Sequence, residues 1–274
     1  MWQRVAHKNV VKIFELFDDH TIDKMYLMME LASYGQIQEC LDSTGIQFKR
    51  NEAIYDIALA KSKIIWPAQA TSPPSDIEMA SKWIFYQVAE GMQHLHDEMS
   101  ICHRDLKCDN IIMGRLNAGP RSEHERQPTI KVCDFTTATI MEKRAEGEEP
   151  EHVIINAGTL AYNAPEQFTQ ESQLPFPMDV WSFGITLYVY LANTLPFKAT
   201  TEVELEEQIT KTEYEPLIEN SLGSSCSPLL LDLLKNLLKI NPKERLSFAQ
   251  ILKHPWFEGR VEEKLNEEFD YKDM

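Results

Sequence analysis

Cysteine is scarce and unpaired here: five in 274 residues (Cys40, Cys102, Cys108, Cys133, Cys226). The count is odd, there is no C-x-x-C pair, and no His–Cys cluster has zinc-ligand spacing. A disulfide framework and a structural zinc site are thereby excluded, and a reducing compartment is expected. Excess positive charge is also missing. Lys and Arg number 27 against 43 Asp and Glu, a formal net charge of −16. Nucleic-acid phosphates and anionic lipid surfaces would be repelled, whereas a basic peptide suits such a field. The first residues, Met1 to Lys8, contain no apolar run and are read as neither signal peptide nor anchor. The most apolar stretch, Trp181 to Ala192, is too short to cross a bilayer and reads as a core helix. A cytoplasmic protein that works neither on nucleic acid nor at a membrane is the expectation. Internal repeats and low-complexity tracts are absent as well.

What is present is ordinary for a globular chain, with 43% hydrophobic and 26% charged residues, enough for one large domain or two small lobes sharing a core. Val10–Phe17 and Met25–Leu31 are rich in β-branched, aromatic and large apolar residues around a polar Asp18-Asp19-His20, and predict two paired strands. Residues 43–76 carry Lys49, Arg50, Lys61 and Lys63, then Pro67, Pro73 and Pro74, the pattern of an insertion or exposed loop on which Ala58-Leu59 and Ile64-Ile65-Trp66 could still dock. From Ile77 to His96 the apolar positions Met79, Trp83, Ile84, Tyr86, Val88, Met92 and Leu95 recur at helical spacing, predicting one long amphipathic helix. Residues 114–129 read as a long loop between two strands, Ile111–Met113 and Ile130–Val132. Helices are expected over Val203–Ile209, Ser227–Leu238 and Ser247–Leu252, and Glu258–Met274 reads as a loosely held acidic tail.

The chemistry concentrates in His103-Arg104-Asp105-Leu106-Lys107-Cys108-Asp109-Asn110. A carboxylate, an ammonium and an amide stand within one short loop, the set needed to orient an attacking hydroxyl, neutralise a migrating phosphoryl group and bind Mg²⁺ through hard oxygen. The string resembles the catalytic loop of eukaryotic protein kinases. Asp134-Phe135-Thr136 follows where that family has Asp-Phe-Gly. Then come Gly158-Thr159-Leu160-Ala161-Tyr162-Asn163-Ala164-Pro165-Glu166, similar to the end of an activation segment, Asp179-Val180-Trp181-Ser182-Phe183-Gly184, similar to the start of the central helix, and Arg245. Five matches in order leave little room for chance.

The resemblance implies an α+β, bilobal protein-kinase fold: residues 1–32 as a remnant of the small lobe, 33–257 as the large lobe with insertions near 43–76 and 114–129, and 258–274 as tail. It implies ATP and Mg²⁺ as cofactors and a protein substrate as partner. Asp105 is then the base, Lys107 the cation on the transferred group, and Thr159 the bridge between them. Asn110 and Asp134 become the metal ligands. Met29 takes the gatekeeper position, Glu30 and Ala32 the hinge that meets adenine, and Ile112 the packing beneath it. Lys107 with Thr159 marks the serine/threonine class, and Asp109 is a candidate reader of basic side chains on the peptide. Glu166 with Arg245 resembles the family's structural ion pair, and Asp179 its acceptor of backbone N–H groups from the catalytic loop. Trp181–Tyr188, Leu195-Pro196-Phe197 and Leu252–Phe257 look most like the calcium/calmodulin-dependent group, including its kinase kinases. No basic amphipathic calmodulin target follows Phe257, and calmodulin is left open as a partner.

Three departures qualify the resemblance. No G-x-G-x-x-G and no Val-Ala-Ile-Lys counterpart occurs in the 274 residues, so the chain as written is expected to have little or no kinase activity. It is read as a fragment of a true kinase or as a shortened pseudokinase used as a scaffold. Thr136, β-branched where the family has glycine, is expected to hold Asp134 in fewer conformations. Finally, Ile140–Gly158 contains no Ser, Thr or Tyr to be phosphorylated opposite Arg104, and Glu142, Glu146, Glu148, Glu149 and Glu151 are candidates for a fixed negative charge there. A related small-molecule phosphotransferase would need neither Thr159 nor the Ala164-Pro165-Glu166 segment.

Overall fold

The computed structural model describes residues 5–19, 24–41, 47–66, 74–115, 128–141, 158–168, 175–211, 214–223 and 225–261. Strands β1 (Ile13–Asp19) and β2 (Lys24–Met29) form an antiparallel pair with Ile13 opposite Met29. Both faces of this hairpin are apolar and open: Phe14, Leu16, Phe17, Tyr26, Leu27, Met28 and Met29 are each 45–50% exposed. Its root is held better. Val10 bridges to Val132, Val11 N–H donates to the Val132 carbonyl (2.9 Å), and Val132 N–H donates to that of Asn9 (2.9 Å).

Behind the hairpin the chain makes β3 (Gly35–Gln36), β4 (Gln38–Cys40) and β5 (Phe48–Arg50), and β4 and β5 pair as a small hairpin. Helix α1 (Glu52–Ile65) follows, opened by Asn51, whose side chain accepts from Ile54 N–H and donates to the carbonyls of Tyr34 (2.9 Å) and Gln36 (3.2 Å). This is a correction to the sequence reading, which placed an insertion or exposed loop here. Ile54, Ile57, Ala58, Lys61, Ser62 and Ile65 recur at helical spacing and are buried. The lysines that suggested a loop lie on or beside this helix, and Lys61 is itself only 6% exposed.

Helix α2 (Asp76–Gln93) matches the predicted amphipathic helix and ends in one π turn, His94–Glu98. Strands β6 (Ile101–Cys102), β7 (Ile111–Arg115), β8 (Pro128–Val132) and β9 (Thr139–Ile140) then surround the site: β7 lies between β3 and β8, and β6 pairs with β9. Residues 116–127, the middle of the second expected insertion, lie outside the described residues.

Helix α3 (Pro175–Ala192) is buried on all sides, which is why its sequence is apolar all round. Phe85 of α2 meets Phe183 and Tyr190 of α3 edge to face, with centroids 5.4 and 5.8 Å apart, and Phe183 meets Phe248 at 5.4 Å. Around this core stand α4 (Glu202–Lys211), α5 (Tyr214–Leu222), α6 (Pro228–Leu237) and α7 (Phe248–Ile251). The α6 start combines Ser227 as cap with Pro228 in the first turn, and Ser247 with Gln250 forms a capping box on α7. Glu78, 2% exposed, ties α2 to both ends of this region by accepting from Ser227 N–H (2.8 Å) and Trp256 Nε1 (2.9 Å). The start of the expected loose tail is pinned: Val261 N–H donates to the Ile65 carbonyl (2.9 Å) and Arg260 donates to the Tyr86 hydroxyl (2.8 Å). Residues 262–274 lie outside the described residues. Among the described residues no helix is long and apolar enough to cross a membrane.

Candidate active site

The loop from His103 to Asn110 runs between β6 and β7 and is fixed from below by Asp179, fully buried on α3. Its Oδ2 accepts from His103 N–H (2.7 Å) and bonds His96 Nε2 (2.8 Å), and its Oδ1 accepts from Arg104 N–H (2.8 Å). Burial alone would raise the Asp179 pKa. The bond to His96, the charges of His96 and His103, and the Arg104 N–H outweigh it, and the net shift is downward. The aspartate thus acts as an anionic post inside the core. Thr186 adds a second tie through its hydroxyl to the Leu106 carbonyl (3.2 Å).

A second set of bonds stitches this loop to the residues around Asp134. His103 Nε2 bonds the Cys133 carbonyl (2.9 Å), Cys133 N–H donates to the Asn110 carbonyl (2.9 Å), and Thr137 donates to the His103 carbonyl (3.1 Å). The His103 ring lies against Phe135 at 5.2 Å. Burial and the neighbouring Asp134 push the Cys133 thiol up to about 12. Both Arg104 (φ 70°) and Asp134 (φ 62°) hold left-handed backbone conformations that cost non-glycine residues about 1–3 kcal/mol and cluster at functional sites.

Above that base, four predicted residues meet directly. Thr159 donates to Asp105 Oδ1 (2.8 Å), and Lys107 Nζ donates to Thr159 Oγ1 (2.7 Å) and pairs with Asp105 Oδ2 (2.9 Å). Asn110 Nδ2 donates to the Asp105 carbonyl (2.8 Å) and to its Oδ2 (3.2 Å). The bridging geometry expected of Thr159 is present. Gly158 permits it: with φ at 100°, a Cβ there would stand 2.5 Å from the Arg104 carbonyl oxygen. Both carboxylate oxygens of Asp105 are bonded while its side chain stays 12% exposed, a fixed group that a substrate hydroxyl could still approach.

Asp134 is exposed, and its Oδ1 accepts from both Thr136 N–H (3.2 Å) and Thr136 Oγ1 (2.7 Å). With the Asn110 amide nitrogen spent on Asp105, the Asn110 side-chain oxygen and the Asp134 carboxylate remain as hard oxygen donors, on two segments tied together by the bond from Cys133 N–H to the Asn110 backbone carbonyl. Among the described residues no group of three or more His, Cys, Asp and Glu could hold a metal by itself. The chemistry of these two donors suits Mg²⁺, which takes one or two protein oxygens and completes its shell with phosphate and water.

The four residues expected at the nucleotide base divide. Gly114 of β7 packs against Ala32, with a Cβ there 3.4 Å from Ala32 Cα, and Ile112 pairs with Gln36, which brings the predicted hinge onto β7. Met29 remains 49% exposed at the end of β2. The Glu30 side chain pairs with Lys131 (2.9 Å) and accepts from Lys12 N–H (2.7 Å). The segment expected to answer Arg104 with glutamates, 142–157, lies outside the described residues. Arg104 itself donates to the Thr139 hydroxyl, and its Nε finds no partner among the described residues. Sequence reasoning missed His96, Lys131 and Asn9. Of these only His96 carried a signal, a histidine in line with the apolar face of α2. A cavity of about 490 Å³ lined by Ile77, Tyr188, Leu195, Leu222 and Cys226 contains none of the residues above.

The ion pair expected between the activation segment and the large lobe is bidentate: Arg245 Nη1 and Nη2 each meet a Glu166 oxygen at 2.7 Å, with the guanidinium 4.9 Å above the Trp181 ring.

Comparison with known proteins agrees with this architecture. The chain is 29% identical over 257 residues to serine/threonine-protein kinase 33 of Bos taurus, covering 94% of this chain and 44% of that protein. It is 28% identical over 256 residues to serine/threonine-protein kinase stk11 of Xenopus laevis, covering 93% of this chain and 48% of that protein. The chain therefore spans about half the length of these relatives. The crystal structure of the Rad53 kinase domain and SCD2 superimposes with a TM-score of 0.61 at 24% identity, covering 94% of this chain and 74% of that one, and supports the bilobal fold. The family model for the protein kinase domain matches residues 1–257, and the chain belongs to that family.

Proposed function

We propose that the chain carries the catalytic machinery of a serine/threonine protein kinase, which moves the γ-phosphoryl group of ATP to a Ser or Thr hydroxyl of a protein. The observation that carries this reading is the closed set of bonds joining Asp105, Lys107, Thr159 and Asn110. Asp105 orients the acceptor hydroxyl and takes its proton, and Lys107 offsets charge on the transferred oxygens. Asn110 and Asp134 are the residues that would hold Mg²⁺. The chemistry such a cation would supply there is positive charge to offset that developing on the transferred group. Thr159 keeps the base and the lysine in register, a Lys–Thr combination that by resemblance goes with the serine/threonine class, and Leu160–Glu166 continues as the shelf for a peptide. Placement in the calcium/calmodulin-dependent group belongs to the same reading.

A basic peptide is the favoured substrate. The net charge of −16 attracts it, and the half-buried Asp109 stands beside the metal ligand Asn110. Intact and mutually bonded catalytic-loop residues favour the enzyme over a scaffold. The test is transfer of labelled phosphate from ATP to a basic Ser/Thr peptide by the protein carrying this chain, beside its Asp105→Asn variant. Transfer that falls at least about a hundred-fold in the variant supports the reading. Equal transfer by both, or no change in melting temperature with Mg-ATP, overturns it.

A further inference from the structure

We infer that Thr136 is a positioning residue for the cation: its hydroxyl locks the Asp134 carboxylate so that Oδ1 is held by the protein and Oδ2 is presented to the metal. The inference rests on the reading of Asp134 as a metal ligand. Two donors of one residue converge on the same oxygen, Thr136 N–H at 3.2 Å and Oγ1 at 2.7 Å, and Oδ2 has no bond among the described residues. Asp134 needs such support. It is exposed, so burial does not restrict its rotamers, and its left-handed backbone (φ 62°) takes it out of the extended run of β8. A free carboxylate must surrender rotamer freedom when it grips a cation, whereas one already bonded has surrendered it on folding.

The hydroxyl is well placed to provide this. Threonine is branched at Cβ and stiff about χ1, so its oxygen stays where the backbone sets it. Glycine at this position could supply the N–H but not the O–H. The opposite physical effect is also definite: a donor on Oδ1 withdraws charge from the carboxylate and competes with the cation for that oxygen. The two effects differ in sign, so replacing Thr136 by valine, which keeps the branch and removes the hydroxyl, separates them. Valine must loosen metal binding if positioning dominates and tighten it if competition does.

The measurement is a thermal-shift titration with Mg²⁺ at saturating ADP, repeated with Mn²⁺ followed by electron paramagnetic resonance, on the parent protein and on Thr136→Val, Thr136→Ser and Asp134→Asn. Loss of one oriented hydrogen bond corresponds to roughly a three- to ten-fold rise in the half-saturating metal concentration for Thr136→Val. Thr136→Ser stays within about two-fold of the parent, since it retains the O–H donor. Equal or tighter metal binding by Thr136→Val, with Asp134→Asn clearly weakened, overturns the positioning role and leaves the metal site standing. An Asp134→Asn variant that binds metal like the parent, or a parent that shows no metal-dependent shift, overturns the metal-site reading and this inference with it.

Discussion

Gly91, in the interior of α2, is the sharpest point at which packing can be set against propensity. Alanine in the middle of a helix is worth about 1 kcal/mol more than glycine, so Gly91→Ala would stabilise an isolated α2. In the folded protein a Cβ at this position would stand 2.6 Å from the Asn9 carbonyl oxygen and 3.2 Å from its carbon. The obstacle is backbone and cannot rotate away. Moving it strains bonds that fasten the segment ahead of β1, namely Val132 N–H to the Asn9 carbonyl (2.9 Å) and Asn9 Nδ2 to the Ile130 carbonyl (2.8 Å). Each is buried and worth about 1 kcal/mol, and overpacking adds about 1–3 kcal/mol. The net loss is then about 2–4 kcal/mol, or a fall in Tm of about 4–16 °C for a protein of this size. Circular-dichroism melts of parent and variant at one scan rate measure it. A Tm that is unchanged or higher would refute the reasoning, because it would mean that the Asn9 segment yields and helix propensity wins.

Arg245→Ala should cost about 3–5 kcal/mol in urea unfolding, since it removes both bonds of a bidentate, largely buried ion pair to Glu166 and the donor to the Pro177 carbonyl, and Arg245→Lys should recover only part because one ammonium cannot replace the fork. Lys82 is held near a pKa of about 8 by burial, against an ordinary value of 10.5, with Glu78 pulling the other way. Between those two pH values the folded protein has released a proton that the unfolded chain keeps, so stability should rise with pH over that window. Lys82→Met should remove the slope in melts from pH 7.5 to 10.5. Thiol alkylation at pH 8 should modify Cys40 first in the native protein and spare Cys102, Cys108 and Cys133 until denaturant is added, because those three are buried and burial raises their thiol pKa values, and the half-buried Cys226, whose thiol burial pushes up to about 12, should react more slowly than Cys40. Replacing Leu16 and Phe17, 49% and 48% exposed, by lysine should reduce concentration-dependent association in sedimentation velocity. No change would mean that the open hairpin is not adhesive.

The site was legible in the sequence because its members sit in short, ordered strings, and a loop of eight residues leaves little freedom in how Asp105, Lys107 and Asn110 can face one another. Helices α2 and α3 were legible from periodicity and from uninterrupted apolar character. Helix α1 was hidden by its own composition: Lys61 and Lys63 look like solvent-facing residues, and burial of the first depends on neighbours far along the chain. Helix α5 was not singled out in the sequence, where Pro216 stands in its first turn. Glu30 shows the limit most clearly. Its side chain answers to Lys131, a hundred and one residues away, and no local pattern announces such a partner.

That pair has a mechanical consequence. The side chains of Lys131 and Glu30 are 4% and 9% exposed, and the same ammonium also holds the Lys8 carbonyl at 2.9 Å. The open hairpin therefore joins the helical body through a rivet of opposite charges at its root. Salt screens such a joint weakly because water and ions hardly reach it, so the tilt of the hairpin should survive changes in ionic strength that would loosen a surface bridge. Removing either charge leaves the other stranded in a dry seam, and the hinge would then swing on backbone bonds alone.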